Sequence, residues 1–223
     1  MSAAAHPPQL APIDSLGQTE YVRRSFGFTP GKFAMWLFLA SDAMGFVGLL
    51  STYIVVRWAS PAAAWVPAGG DWTSAGEGSK VGLPHLDPQL TGVNTFILIV
   101  SSFTMVLALN ACQRGNQAGL KRWLAATAVA GMVFLGIQVY EYRHLLEEGL
   151  AAYHHLYGAT FYVCTCFHGA HVFAGVIYLW CMFANALKGK YGPQNSSPVE
   201  LLGLFWHFVD LVWIILFTII YLI

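Results

Sequence analysis

Five apolar runs, each about twenty residues or longer, constrain this chain more than any other feature. Phe33 to Val56, Val93 to Cys112, Trp123 to Tyr142, Gly158 to Leu187 and Gly203 to Leu222 are each long enough for an α-helix to cross a hydrocarbon core of roughly 30 Å. The expected fold is an all-α membrane protein with five transmembrane helices. Composition agrees, with 57% of the 223 residues hydrophobic and 10% charged, where a soluble domain carries about 25% charged residues. The formal net charge is zero. Nucleic acid therefore has no electrostatic hold on the chain and is not expected as a partner.

Basic residues orient the spans. With the N-terminus cytoplasmic, Arg23, Arg24, Lys32, Arg114, Lys121, Arg122, Lys188 and Lys190 fall inside, and only Arg57, Lys80 and Arg143 fall outside, a positive-inside bias. This predicts a C-terminus outside. Residues 1–29, with Pro7, Pro8 and Pro12, hold no apolar stretch flanked by a cleavage site, so they are expected to form a cytoplasmic tail and not a signal peptide. Residues 30–223 then make one five-helix domain. Its long connector, about Arg57 to Gly92, is expected to be an external loop with Trp65 and Trp72 at the membrane interface. Cys112, Cys164, Cys166 and Cys181 lie in or beside apolar runs, where a thiol packs as a small hydrophobe. Cys164 and Cys166 point to different faces, which suits neither zinc nor a redox pair. No internal repeat of the kind transporters use is evident.

An ionisable side chain in lipid is costly unless it is paired, so polar groups inside the spans imply specific partners. Asp42, about 14 Å from the cytoplasmic end of the first span by helical rise, is the sharpest anomaly. It is either a protonated carboxyl hydrogen-bonded to a neighbouring helix, or a group that handles protons or meets a lipid headgroup. Gln138, Glu141 and His144 recur at three-residue steps near the outer boundary, as a structural network with Arg143 would. His168 and His171 share a face of the fourth span, where Gly169, Ala170, Ala174 and Gly175 are small enough to admit another helix closely. In the last span His207 and Asp210 lie three residues apart on one stripe. The two are expected to pair, so that loss of Asp210 would strand His207.

A metal or haem can be weighed against these residues. Glu141-x-x-His144 is half of a di-iron carboxylate pattern, but the other spans offer no second Glu-x-x-His, and Glu141 lies near the outer face while His207 and Asp210 lie near the inner one. A b-type haem between His207 and His168 or His171 is a live alternative, because the two sides sit at broadly similar depth. A chain of that kind would be coloured in isolation.

The motifs also carry a resemblance. Trp36-Leu-Phe-Leu-Ala-Ser41-Asp42, Gln138-Val-Tyr-Glu141-Tyr142, Tyr157-Gly158-Ala-Thr-Phe161-Tyr162 with Phe167-His168-Gly169-Ala-His171-Val172, and Trp206-His207-Phe208-Val209-Asp210-Leu211-Val212-Trp213 follow one another in this order. They resemble the motifs of subunit III of the haem-copper respiratory oxidases, the cytochrome c oxidase subunit III family, in its short five-helix bacterial form. The resemblance implies a subunit with no active site and no cofactor of its own, haem and copper residing in partner subunits. It implies packing on subunit I, with subunit II nearby, and cytochrome c or a cytochrome bc-type complex as electron source. It further implies bound phospholipid, a bacterial plasma membrane location, and support of proton uptake with Asp42 as the linked carboxylate. Gln138, Glu141, His168, His171, His207 and Asp210 would form the structural polar network or touch lipid. The long form has two further helices that complete a lipid cleft, so lipid sites carried over by analogy need another subunit. An equivalent subunit of a quinol oxidase, or an accessory protein of nitric oxide reduction, shares the resemblance.

Overall fold

The computed structural model describes residues 30–59, 88–147 and 156–222, and every regular element among them is helical. The N-terminal tail and most of the long connector, with Trp65, Trp72, Arg23, Arg24 and Lys80, lie outside the described residues. Helices α1 (Pro30–Ala59), α2 (Pro88–Gln113), α3 (Gln117–Glu147), α4 (Leu156–Leu187) and α5 (Ser197–Phe217) run up and down in turn. A 3-10 turn at Pro193–Asn195 leads into α5, and a π turn at Thr218–Leu222 extends it. All five helices are long and apolar enough to cross a membrane. The chain is a multi-pass helical membrane protein.

The helices are longer than the apolar runs that announce them. α1 continues through Arg57 to Ala59 and α2 begins at Pro88, so both ends of the expected Arg57–Gly92 loop are helical. Proline suits those starts, since the first turn leaves its missing N–H unused. The α2–α3 connection is closed locally. Gly115 adopts φ 73°, its N–H bonds the Cys112 carbonyl at 3.0 Å, and the Asn116 N–H bonds the Ala111 carbonyl at 2.9 Å. Asn116 Oδ1 then accepts the Gly119 N–H at 2.9 Å and caps α3.

Lipid tails are as apolar as leucine, so these helices must associate through close packing and hydrogen bonds. Trp206 of α5 does both. Its ring lies over two glycines, such that a Cβ on Gly131 of α3 would come 2.7 Å from Cη2 and one on Gly175 of α4 would come 2.9 Å from Cζ3. Its Nε1–H donates to Ser101 Oγ of α2 at 2.9 Å. One side chain thus ties four helices together. Of the small residues expected to admit a neighbour, Gly175 does so, whereas a Cβ on Gly169 would meet nothing within 4 Å and Ala170 and Ala174 are exposed. α1 is attached more thinly, burying only Leu39, Phe46 and Tyr53, one residue every seven, against α4 and α5.

Candidate functional site

Asp42 meets His171 near the middle of both α1 and α4. Its Oδ1 lies 3.0 Å from His171 Nε2, joining α1 to α4, with the Asp42 side chain 10% and the His171 side chain 18% exposed. The other ring nitrogen, Nδ1, is 2.7 Å from the Phe167 carbonyl one turn earlier. A carbonyl only accepts, so Nδ1 carries a hydrogen. One further proton lies between Oδ1 and Nε2, on either atom, and the pair is neutral overall in both arrangements. That neutrality is what allows a carboxyl and an imidazole to sit together in lipid. Phe46 packs edge-on against both His171, at 5.3 Å between ring centres, and His168, at 6.3 Å.

His168 lies one turn deeper and is fully buried. Its ring stacks on Trp213 of α5 at 4.9 Å and meets Phe134 of α3 edge-on at 6.1 Å. Neither ring nitrogen has a hydrogen-bond partner among the described residues. A haem iron would have to displace one of the two bonds His171 already makes, or open the aromatic wall around His168. His207 is elsewhere, half-buried in a groove between α1 and α5 with Trp36, Leu39, Phe208 and Leu211.

The expected pairing of His207 with Asp210 gives way to a different one. Asp210 Oδ2 accepts the Ser102 hydroxyl of α2 at 2.7 Å, and no hydrogen bond joins it to His207 among the described residues. Three residues along a helix separate two side chains by about 60°, enough here for Asp210 to face α2 and His207 to face α1. Asp210 belongs to a polar seam between α2 and α5 that continues through Trp206 to Ser101, and through Trp213 Nε1–H to Thr95 Oγ1 at 3.0 Å. Thr104 of α2 shares a hydrogen bond of 2.7 Å with Thr127 of α3.

At the far end of this seam donors converge on Glu141. Tyr221 Oη–H, from the π turn, reaches Oε1 at 2.9 Å, the Thr91 hydroxyl reaches the same oxygen at 3.0 Å, and Gln138 Nε2–H reaches Oε2 at 3.4 Å. Glu141 and Gln138 are buried, while Arg143 and His144 are exposed on another side of α3. Through Thr91 and Tyr221 the network runs inward to α2 and to the turn that extends α5. Thr91, Thr95, Ser101, Ser102 and Tyr221 are the members that sequence reasoning missed. The four on α2 do carry a signal, a stripe of small hydroxyl residues that faces the tryptophans of α5. Outside the spans, Tyr191 donates to Met182 Sδ at 2.9 Å; burial raises the pKa of its phenol, which keeps it a donor.

The arrangement can therefore hold a proton between α1 and α4, and it anchors α5 through buried polar contacts. Comparison with known proteins points to one family. The sequence profile of the family described as Cytochrome c oxidase subunit III matches residues 19–223. The chain is similar to cytochrome c oxidase subunit 3 of Synechocystis sp., with 39% identity over 191 residues, 85% of this chain and 74% of that protein. It is similar to the same subunit of Corynebacterium diphtheriae, with 37% identity over 187 residues, 84% of this chain and 85% of that protein. A probable cytochrome c oxidase subunit 3 of Mycobacterium tuberculosis is 35% identical over 187 residues, with the same two shares.

Proposed function

Because the chain belongs to the cytochrome c oxidase subunit III family, we propose that it serves as a non-redox subunit of a proton-pumping haem-copper terminal oxidase. Membership makes it one subunit of an oxidase complex. In our reading it packs on subunit I with subunit II nearby, in a bacterial plasma membrane, with its N-terminus cytoplasmic and its C-terminus outside. Haem and copper in the partner subunits supply the oxygen chemistry, with electrons arriving from cytochrome c or a cytochrome bc-type complex. This chain stabilises subunit I, binds phospholipid and supports proton uptake.

The Asp42–His171 pair carries the proton part of the reading. A carboxyl that shares one proton with an imidazole can pass that proton between Oδ1 and Nε2 without changing the net charge of the pair. The same pair could serve only as a clasp between α1 and α4, and two substitutions separate the roles. Asp42→Asn keeps a hydrogen-bond donor to Nε2 but has no proton to give up, whereas Asp42→Leu removes the bond as well. If the pair handles protons, both variants assemble into the oxidase and both lose activity sooner during continuous turnover. If it is a clasp, Asp42→Asn keeps the wild-type lifetime and only Asp42→Leu fails. The wider reading is tested by tagging the chain and purifying it in mild detergent. Subunit I and haem absorbance should accompany it; recovery of the folded chain without them would reject the assignment.

A further inference from the structure

Where α1 meets α5 the packing leaves a cavity of about 410 Å³. Two small residues account for it. Ala40 and Ala43 of α1 line the space with only a methyl group each, while Leu39 between them in position is buried. Phe38 meets Phe205 at 6.3 Å between ring centres and Phe46 meets Phe208 at 6.4 Å, so aromatic contacts brace the two helices around the gap. Trp36 and Leu211, 59% and 58% exposed, carry the cavity out to the lipid-facing surface. Apart from the Trp36 indole, His207 is the only polar side chain lining it among the described residues. His207 is half-buried and makes no hydrogen bond to another described residue, and Asp210, one turn on, is directed to Ser102.

The chemistry of this wall selects its ligand. A charged headgroup would find no fixed charge to neutralise it, and a plain hydrocarbon chain would leave the imidazole without a partner in apolar surroundings. What fits is a neutral molecule with a flat ring for the Trp36 indole, an oxygen for the imidazole and an apolar tail for the lipid. A saturated ring alcohol offers the oxygen without the flat face, and a polyene the flat face without the oxygen. A neutral imidazole carries one N–H and one lone pair, so it can donate to a quinone carbonyl or accept from a quinol hydroxyl. We propose that the cavity binds the ring of an isoprenoid quinone, with His207 on one ring oxygen, the ring against Trp36 and the tail leaving along Leu211. The volume falls in the range of small-molecule sites, roughly 300–1,000 Å³, and a cavity already braced by aromatic contacts needs little ordering to bind. The site holds its ligand in either redox state, and no electron transfer is assigned to it. It rests on this cavity alone and not on assembly into an oxidase.

The test uses the full chain in phosphatidylcholine nanodiscs, with decylubiquinone as probe and tryptophan emission, which a quinone ring quenches at close range, as readout. Quenching should saturate in the wild-type chain, and Ala43→Leu, which fills the cavity, should remove the saturable part. His207→Leu should weaken binding about two- to ten-fold, the worth of one neutral hydrogen bond. His207→Gln keeps a donor and an acceptor and should bind more tightly than His207→Leu. Saturable quenching that survives Ala43→Leu, or equal binding by His207→Leu and the wild type, would overturn the site. Should Ala43→Leu not fold, decylbenzene is the second measurement, because it has the ring and the tail but no oxygen. It should compete with decylubiquinone more weakly than unlabelled quinone does; equal competition makes the cavity a plain apolar slot and the proposal wrong. In the complex purified in mild detergent, a photoreactive azido-ubiquinone should label α1 or α5, and excess decylubiquinone should suppress the label. If the chain in nanodiscs binds but these helices stay unlabelled in the complex, a protein partner fills the cavity and the proposal is overturned. A chain that fails to bring oxidase subunits with it speaks against the function above and leaves the nanodisc result standing.

Discussion

At Gly131 the distance between a packed bundle and a strained one is a single methyl group. A Cβ there would lie 2.7 Å from both Trp206 Cη2 and Val176 Cγ2, so Gly131→Ala should cost about 1–3 kcal/mol through overpacking. Trp206→Phe removes the outer ring atoms but not Val176, so Gly131→Ala should cost less in the Trp206→Phe background than in the wild type without losing its whole effect, a non-additivity readable in thermal unfolding in detergent. Asp210 makes a less intuitive case. With its partner on α2 and not at His207, Asp210→Leu leaves only the Ser102 hydroxyl, which can turn back to a carbonyl one turn earlier. The expected cost is below about 1 kcal/mol. Ser102→Ala strips the remaining partner from a buried carboxyl whose other oxygen, Oδ1, has none among the described residues, at about 1–3 kcal/mol. Ser102→Ala should therefore unfold at the lower temperature, and the reverse order would reject the pairing. This partner was not legible in the sequence, because spacing of three says which face two residues share and not which neighbour that face meets. Asp42 was legible as an anomaly, and its partner was a residue already singled out on another helix.

At the scale of an element, α1 is the one held most lightly. Its buried stripe of Leu39, Phe46 and Tyr53 is joined by one mid-span pair, Asp42–His171, and one end pair, Lys32–Glu200. The end pair is about one-third exposed on both sides and screened accordingly, so Lys32→Gln should change stability by less than about 1 kcal/mol. Phe46 is 3% exposed and touches Phe167, His168, His171 and Phe208. Phe46→Ala should cost about 3–5 kcal/mol and loosen α1 before the other helices. Spin labels on α1 and α5 would report a broadened distance distribution in Phe46→Ala and an unchanged one in Lys32→Gln. The five helices themselves were legible, since hydrocarbon thickness forces a long apolar run for every crossing. Their ends were not. α3 starts at Gln117 and α5 at Ser197, six residues before the apolar runs at Trp123 and Gly203, because a helix continues into the polar interface for as long as its backbone bonds itself. The stripe on α2 escaped for a related reason: serine and threonine in an apolar span can satisfy themselves on their own backbone, so they do not announce a partner.

For the molecule as a whole the deciding question is where the colour of the complex resides. Three histidines occupy the spans at interior or half-buried positions, His168, His171 and His207, and a bis-histidine haem would need two of them facing each other across an iron. His171 is occupied at both nitrogens, by Asp42 and by the Phe167 carbonyl. His168 is enclosed by Trp213, Phe134 and Phe46, and His207 opens on a groove lined by Trp36 and Leu39. Ligation would break hydrogen bonds or aromatic packing that the fold already has. The expected result is that optical absorption of the purified complex stays with the partner subunits when this chain is separated from them. His168→Leu should then leave the visible spectrum of the whole complex unchanged. If absorption instead travels with the separated chain and shifts in His168→Leu or His207→Leu, these histidines are ligands and the non-redox reading falls. A spectrum that stays with the partners and is indifferent to both substitutions leaves this chain the role its packing suits, a helical support that holds one shared proton between α1 and α4.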